Sequence, residues 1–320
     1  MRHQEISLLV IFDAIMTEGS ITRAADQLEL TQPAVSNALS RMRQAWNDEL
    51  FIKDGRNIQP TIYAQNLWKR VRNPLIELEE AVDIEGFDPA TAKRTFRIAA
   101  ADTIIDTAWG PLRKIIEEQA PNINLHAVPY TISNGIELLD NAEVDLVVGA
   151  LLDSNETICS EYLYSPCYTC VMRPNHRLTQ SELTLEEFAN SDHLLVSLSG
   201  EASGFTDEVL AQYGLSRRVA MTVNHFSAVP KLISQSDLIA IVPSSTLEES
   251  IFSGELAVVQ PPIQITSKQV NNYWHKRQDT DKGLTWLRTH MSRIIKEHAS
   301  THMKELEKRI CNKSKNDTCT

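Results

Sequence analysis

The sequence predicts a protein of mixed α/β class, in which a mostly helical N-terminal part precedes a larger part of alternating strands and helices. Between residues 5 and 82, apolar residues recur at the spacing of amphipathic helices. From residue 94 onwards, short strand-like runs alternate with helical ones, a rhythm typical of a mostly parallel sheet covered by helices. A chain of 320 residues is long enough for two or three such compact units.

Three short helices are predicted at the N-terminus. The first covers Glu5–Glu18 and carries its apolar residues on one face. Ser20 is the expected N-cap of a second helix over residues 21–28, and Thr31 is the expected N-cap of a third that runs to about residue 46. The pattern therefore gives three helices joined by tight turns.

Two strand-like pieces and a long helix follow. Leu50–Lys53 and Asn57–Pro60 flank Asp54-Gly55, a dipeptide that favours a hairpin turn. Residues 62–82 then keep their apolar side chains in helical register. The stretch 84–92 contains glycine and proline and is the expected hinge before the α/β part.

The α/β part is predicted as a series of short strands with helices between them. Strands are expected at residues 95–101, 124–129, 145–151, 168–173, 193–197, 219–223 and 238–243, with the first two helices at 104–119 and 135–141. Beyond about residue 300 the sequence is polar and charged, which predicts a frayed helix ending in a flexible, disordered tail.

Composition and charge narrow the class of protein. The chain is 42% hydrophobic and 23% charged, which supports a packed core. No apolar run approaches the roughly 18 residues of a membrane span, so we expect a cytoplasmic protein without a membrane partner. The net charge of −11 is unfavourable for nucleic-acid binding, but residues 20–72 hold eight cations and five anions, a local charge of +3.

The cysteines and histidines give weaker signals. Five cysteines make an odd count, which argues against a disulfide framework. Cys167 and Cys170 are expected as a buried, reduced pair on opposite faces of a strand. His298 and His302 have the spacing of two metal ligands on a helix, but a solvated helix face is the favoured interpretation. The sequence therefore predicts neither a metal nor a cofactor.

The three N-terminal helices have the pattern of a helix-turn-helix. Ala24, Ala25, Ala34 and Ala38 allow two helices to cross closely, and the outer face of the third helix carries amides, hydroxyls and a guanidinium suited to base edges and phosphates. The expected DNA-contacting residues are Ser20, Thr22, Arg23, Thr31, Gln32, Pro33, Ser36, Asn37, Ser40, Arg41, Lys53 and Arg56. An ordinary helical bundle with small residues at its crossings is the alternative interpretation.

The run SITRAADQLELTQPAVSNALSRMR (Ser20–Arg43) resembles the signature of the LysR-type transcriptional regulators. ELFIKDGRNIQPT (Glu49–Thr61) resembles the wing of that family, and TFRIAAAD (Thr95–Asp102) resembles the first strand of its sensor domain. Tyr168–Leu178 resembles the crossover into the second lobe of that domain. Three further segments resemble the branch of the family that contains nodulation and aromatic-catabolism regulators, namely Asn224–Ile233, Asp237–Pro243 and Tyr273–Arg288. The resemblance covers about residues 5 to 295.

The resemblance implies roles for the N-terminal residues. Gln32, Pro33, Ser36 and Asn37 would approach bases in the major groove of double-stranded promoter DNA, and the wing residues Lys53 and Arg56 would lie along the backbone or minor groove. The helix over residues 62–82 would pair with its twin to form a homodimer, which often assembles further into a homotetramer. Glu29 departs from the pattern, because it places an anion at the turn where glycine, asparagine or histidine would ease the backbone.

The resemblance also implies a two-lobed sensor domain like a periplasmic binding protein. The chain is thereby divided into a winged helix-turn-helix over residues 1–61, a linker helix and hinge over 62–93, a sensor domain over 94–299 and a tail over 300–320. Within the sensor domain, lobe one covers residues 94–165 and 267–296, and lobe two covers residues 166–266. A small-molecule effector, an organic acid or aromatic, would lie between the lobes and change how bound DNA recruits RNA polymerase. The candidate effector residues are Asp102, Thr103, Ser133, Asn134, Ser203, His225 and Phe226.

An enzyme is the main alternative function, since α/β lobes often carry catalytic sites. The sequence lacks a phosphate-binding P-loop, a dinucleotide-binding glycine motif after its first strand, and the paired histidines of zinc proteases. Gly200–Gly204 superficially resembles a nucleophile elbow, but its serine stands one position too late. We therefore expect no catalysis. A sensor domain that binds only protein partners is the third hypothesis, and thermal stabilisation by a ligand would distinguish it from small-molecule sensing.

Overall fold

The computed structural model describes residues 3–54, 57–82, 87–152, 155–265 and 268–316. Its N-terminal helices are α1 (His3–Glu18), α2 (Ile21–Gln27) and α3 (Gln32–Trp46). They pack around a core that includes the fully buried side chains of Phe12 and Met42. Both expected caps are confirmed: the Ser20 hydroxyl accepts the Arg23 N–H, and the Thr31 hydroxyl accepts the Ala34 N–H, each at 3.4 Å.

The wing and the linker helix follow as the sequence predicted. β1 (Phe51–Asp54) pairs antiparallel with β2 (Asn57–Pro60), with Phe51 opposite Pro60. The tip of the predicted turn, including Arg56, lies outside the described residues, as does part of the predicted hinge. α4 (Ile62–Val82) follows, and the Thr61 hydroxyl caps it by accepting the Ala64 N–H at 3.1 Å.

Lobe one is a five-stranded sheet in the order β4-β3-β5-β12-β6. The strands are β3 (Arg94–Ala100), β4 (Ile123–Val128), β5 (Leu146–Gly149), β6 (Ile158–Tyr164) and β12 (Val270–His275), and the helices are α5 (Asp102–Gln119), α6 (Gly135–Asp140) and α11 (Lys282–Asn316). The core of the lobe lies between one face of the sheet and the pair α5 and α11. β3 is parallel to β4 and β5, as expected. β12 instead runs antiparallel to β5 and β6, because it enters the sheet on the return from lobe two.

Lobe two holds shorter elements in two small sheets. Its strands are β7 (Tyr168–Met172), β8 (Asp192–Val196), β9 (Arg218–Val223), β10 (Ala240–Pro243) and β11 (Ala257–Val259), and its helices are α7 (Leu185–Ala189), α8 (Phe205–Gln212), α9 (Val229–Ser234) and α10 (Glu248–Phe252). β8 and β9 are parallel. β7 lies between β10 and β11 and is antiparallel to both. The expected parallel arrangement therefore holds for only part of this lobe.

The C-terminal helix continues past the boundary at which the sequence predicted a flexible tail. α11 extends to Asn316, and residues 317–320 lie outside the described residues. His302 is 1% exposed, so the expectation that His298 and His302 share a solvated face is wrong for His302. Phe252 stacks on its ring at 5.6 Å between centroids, and Ser244 hydrogen-bonds to it at 2.9 Å. These lobe-two residues cover the helix beyond residue 299.

Candidate DNA interface and effector domain

The third helix presents a polar face opposite its buried one. α3 buries Val35, Ala38, Leu39 and Met42 against α1 and α2, which follows from their spacing along the helix. The close approach of α2 depends on Ala24 and Ala25, both essentially inaccessible to solvent. The predicted contact residues on the other side of α3 are Gln32, Pro33, Asn37, Ser40 and Arg41, which are exposed, and Ser36, which is half-buried.

Some predicted DNA contacts are occupied within the protein. The Ser40 hydroxyl donates to the Ser36 carbonyl at 3.1 Å, as serine commonly does inside a helix. Arg23 pairs with Glu18 at 3.4 Å and also donates to the Glu18 carbonyl, so part of its charge is neutralised beside α2. Ser20 is half-buried as a cap, whereas Thr22 is exposed. Thr31 and Gln32 are exposed at the N-terminus of α3, where backbone N–H groups favour phosphate.

The wing is fixed by residues that the sequence analysis missed. Arg43 donates to the carbonyls of Glu49 at 2.7 Å and Phe51 at 2.9 Å, which ties the end of α3 to β1. The Asp48 carboxylate accepts the Leu50 N–H and the Thr61 hydroxyl, each at 2.7 Å. These bonds hold Lys53, which is exposed on β1, in a set position relative to α3. Their only sequence signal was the position of Arg43 in the last turn of a helix.

The unusual Glu29 has a partner in the hinge. Its backbone lies in the left-handed region, with φ of 55°, which explains why glycine or asparagine would ease this turn. Its carboxylate accepts a hydrogen bond from Lys93 Nζ at 2.5 Å. This bond and the lysine charge lower the pKa of Glu29. The anion at the turn before α3 is therefore paired with a cation from the hinge.

A cluster of buried charges joins α1, α4 and lobe one, and the sequence analysis did not predict it. Asp13 on α1 accepts the Trp68 indole N–H at 2.6 Å. Arg72 on α4 lies 3.8 Å from Asp13 and 3.6 Å from Asp145, and its guanidinium stacks over the Trp68 ring at 5.0 Å. Asp145 in turn accepts the Arg97 backbone N–H at 2.7 Å. We refer to Asp13, Trp68, Arg72, Arg97 and Asp145 as the junction cluster.

Burial shapes the electrostatics of the junction cluster. Burial raises the pKa of Asp13, and this effect outweighs the attraction of Arg72 and the hydrogen bond from Trp68. Burial likewise lowers the pKa of the Arg97 guanidinium, and the Arg72 charge lowers it further. Arg72 and Asp145 are therefore taken out of water and compensated by each other, while Asp13 and Arg97 at the edge of the cluster stay half-buried.

The seven predicted effector residues are divided between the two lobes, four in lobe one and three in lobe two. Asp102, at the start of α5 in lobe one, accepts the Ser227 backbone N–H at 3.0 Å and so reaches the lobe-two loop that contains His225 and Phe226. Thr103 lines a small cavity against Tyr164 and Ser245. The structure thus brings Asp102 to the predicted loop and turns the neighbouring Thr103 towards the crossover.

The remaining predicted effector residues lie in separate loops. Asn134 accepts the Thr131 N–H at 2.8 Å, and the hydroxyls of Ser133 and Thr131 are 3.0 Å apart, which closes the turn before α6. Ser203 is exposed in the loop before α8. The sequence shows where a turn precedes a helix. It does not show which residues face one another across the two lobes, because that depends on how the lobes are placed relative to each other.

The thiols and buried histidines of lobe two serve its packing. Cys170 is fully buried and burial raises the pKa of its thiol to about 12, whereas Cys167 is exposed; neither is in a disulfide. Burial lowers the pKa of His193 to about 4, so this ring is neutral at physiological pH. Among the described residues there is no cluster of three or more histidine, cysteine or acidic side chains that could hold a metal ion. None of the described helices is long and apolar enough to span a membrane.

Comparisons with known proteins agree with this architecture. Residues 6–65 match the bacterial regulatory helix-turn-helix protein, lysR family, and residues 89–294 match the LysR substrate binding domain. The chain is 32% identical over 290 residues to the HTH-type transcriptional activator NahR of Pseudomonas putida, with 90% of this chain and 96% of that protein covered. It is 28% identical over 310 residues to nodulation protein D 1 of Bradyrhizobium sp. (strain NC92), with 96% and 98% covered.

A solved structure shows the same arrangement of domains. The crystal structure of a probable transcriptional regulator from Pseudomonas aeruginosa superposes with a TM-score of 0.72 at 28% identity and covers 89% of this chain and 95% of that one. The resemblance that the signature residues carried is thereby confirmed. The chain belongs to the LysR family of bacterial transcriptional regulators, with an N-terminal DNA-binding helix-turn-helix and a C-terminal effector-binding domain.

Proposed function

We propose that α3 reads promoter DNA through the side chains at its N-terminal half. Gln32, Pro33, Ser36 and Asn37 would contact base edges in the major groove. Phosphate and sugar contacts would come from Ser20, Thr22, Arg23, Thr31, Ser40, Arg41, Lys53 and Arg56. The observation that carries the proposal is the exposed polar face of α3, whose amides and hydroxyls suit base edges. We propose that the protein acts in the cytoplasm, where promoter DNA lies.

The linker helix supports the proposal of a homodimer. Ile62 is 78% exposed, Tyr63 43% and Leu78 44%, which is unusual for large apolar side chains on one helix. A second copy of α4 would cover the Tyr63 and Leu78 face of the helix and would set the distance between two recognition helices. We propose further that two such dimers associate into a tetramer, and that the functional divisions are residues 1–61, 62–93 and 94–299.

The effector domain supports a ligand-gated mechanism. We propose that a small organic molecule binds between the lobes and changes their relative placement, which the junction cluster passes to α4 and α1. The resulting change in the spacing or bending of bound DNA would alter the recruitment of RNA polymerase. What supports this route is that residues of lobe one, α4 and α1 share one buried set of contacts.

Footprinting on the DNA upstream of the protein's own gene tests the proposal. We expect Asn37→Ala to weaken specific binding by about 1–3 kcal/mol and to leave binding to unrelated DNA unchanged, because an amide lost from a base edge affects only the specific complex. Gln65→Ala removes an exposed amide from α4 and serves as the matched control. An equal loss on both DNAs for Asn37→Ala would remove this residue from base recognition.

A further inference from the structure

The last residue of α1 is a buried acid at the boundary with lobe one. Glu18 is 5% exposed, and its Oε1 accepts the hydroxyl of Thr95 on β3 at 2.6 Å. Thr95 is 4% exposed, so this hydrogen bond is closed to water. A buried carboxylate is costly unless it is paired and hydrogen-bonded, so the partners of Glu18 decide whether it is tolerated there.

The cation that pairs with Glu18 comes from α2. Arg23 Nε lies 3.4 Å from Glu18 Oε2, and Arg23 Nη2 donates to the Glu18 backbone carbonyl. The last carbonyls of a helix lack partners within that helix, and α1 has no basic residue in its own last turn. The Arg23 guanidinium therefore compensates both the carboxylate of Glu18 and the end of α1.

Lobe one fixes where the Glu18 carboxylate lies. Thr95 and Asn124 are partners in the register of the parallel strands β3 and β4. Asn124 Nδ2 donates to the Thr95 oxygen at 3.3 Å, and the single O–H of Thr95 donates to Glu18. The carboxylate that holds Arg23 is thus positioned by two strands of the effector domain.

Arg23 is also one of the proposed phosphate contacts. Its side chain is 62% exposed, so DNA can reach the guanidinium. A guanidinium binds a phosphate best through two parallel N–H groups. Because Nε and Nη2 of Arg23 already face Glu18, a phosphate has to compete with Glu18 for them.

We propose that Glu18 is a positioning residue that restrains Arg23, so that lobe one, through Thr95, limits the contribution of Arg23 to DNA binding. The inference rests on the proposed function and qualifies its Arg23 contact. It adds a second connection between lobe one and the N-terminal part, beside the junction cluster, and this connection ends on a residue proposed to contact DNA. Since phosphate contacts do not depend on base sequence, the restraint lowers the affinity for every DNA alike.

Salt titrations of DNA binding by the full chain test the proposal. Glu18→Gln keeps the size of the side chain and an oxygen that can accept the Thr95 hydroxyl, but it removes the charge that attracts Arg23. We expect binding to promoter DNA and to unrelated DNA to become tighter by about three- to eight-fold at 0.1 M salt. The slope of log K against log[salt] should become steeper by about 0.9, the value of one added phosphate contact. Asp26→Asn removes the same charge at an exposed position one turn further along α2 and should leave the slope unchanged.

A double-mutant cycle identifies Arg23 as the residue that is released. Arg23→Gln removes the guanidinium charge and retains N–H donors that Glu18 can accept. In the Glu18→Gln background this substitution should remove the gained affinity and reduce the slope by about 0.9. In the otherwise native chain it should change the slope by much less, because Glu18 already occupies the guanidinium.

Equal effects of Arg23→Gln in the two backgrounds would overturn the proposal, as would a gain in Glu18→Gln no larger than that in Asp26→Asn. A slope that falls by about 0.9 in Arg23→Gln alone would show that Arg23 binds phosphate without restraint. This last measurement needs no Glu18 variant, so it decides the matter even if Glu18→Gln does not fold. Absence of salt-dependent DNA binding by the native chain would instead contradict the proposed function, so the two failures are distinguishable.

Discussion

The boundary between lobe one and the N-terminal part of the protein is built around a buried arginine between two carboxylates, whereas the boundary between the two lobes is built from hydrogen bonds and a stacked pair of rings. At the first boundary Arg72, 5% exposed, lies between two carboxylates and an indole ring. At the second, the Asp102 carboxylate accepts one backbone N–H and a hydroxyl meets a histidine ring. Buried charge pairs resist separation because each partner would be left uncompensated. Of the two lobe contacts, the exposed bond of Asp102 exchanges readily with water, whereas the bond between Ser244 and His302 is buried but carries no buried charge pair.

The difference assigns separate mechanical roles to the two boundaries. A ligand can move the lobes against each other at the cost of a few hydrogen bonds and one ring contact, without leaving a buried charge uncompensated. Movement of lobe one away from α4 would strip a charge from a buried carboxylate, so lobe one, α4 and α1 should move together. Lys69, which pairs with Glu143 at 2.8 Å, adds a surface contact along the same boundary.

The largest effect is expected from Arg72→Met. The substitution keeps much of the side-chain volume but leaves Asp13 and Asp145 without their shared cation, and breaking a buried pair in this way costs about 3–5 kcal/mol. Urea unfolding followed by fluorescence measures the loss. Arg70→Met, at an exposed position on the same helix, is the control. Similar losses in the two variants would show that the junction cluster does not hold the boundary.

The pH dependence of stability tests the same cluster through Asp13. Its pKa in the folded state is raised above the ordinary value of 3.8, chiefly by burial. Between the two values the folded state binds more protons than the unfolded state, so the contribution of Asp13 falls as pH rises through this window. We expect the stability of the native chain relative to Asp13→Asn to decrease from below pH 3.8 upwards. A difference that stays constant or increases with pH would contradict the assignment.

The elements that the sequence predicted are those set by local chemistry. Ser20 and Thr31 cap helices because their hydroxyls reach an N–H three residues further along the same chain. The buried face of α3 follows from the spacing of Val35, Leu39 and Met42. These contacts need no information about distant parts of the fold.

The junction cluster and the lobe contacts could not be predicted in the same way. Asp13, Arg72 and Asp145 come from three separate elements, and nothing in their neighbourhoods marks them as partners. His302 looked solvated because helical spacing shows only which residues share a face, and Phe252 and Ser244 cover that face from another lobe. Strand ends indicated where Asp102 would lie, but its bond to Ser227 depends on how the lobes meet.

A smaller effect is expected at the lobe boundary from Asp102→Ala. The variant loses one hydrogen bond at a half-buried position, worth about 0.5–1.5 kcal/mol. The Ser227 amide should then exchange its hydrogen faster with solvent, which mass spectrometry or NMR detects at that residue. Ser203→Ala, at an exposed position in lobe two, should leave this exchange rate unchanged. Unchanged exchange at Ser227 in Asp102→Ala would mean that the bond does not join the lobes in solution.

The smallest effect on stability is expected from Lys93→Met, which separates folding from DNA binding at the first boundary. Its pair with Glu29 is exposed, with Glu29 74% accessible, and such pairs add little to stability. The same substitution leaves the Glu29 carboxylate uncompensated at the turn before α3, where it would repel phosphate. We expect an unchanged melting temperature but weaker binding to promoter DNA, most clearly at low salt, where screening is least. Lys114→Met, at an exposed position on α5, controls for the lost positive charge. An equal loss of DNA affinity in Lys93→Met and Lys114→Met would show that only the net charge of the protein matters. No loss in either variant would show that Glu29 lies away from the DNA and that its pair with Lys93 is a surface contact alone.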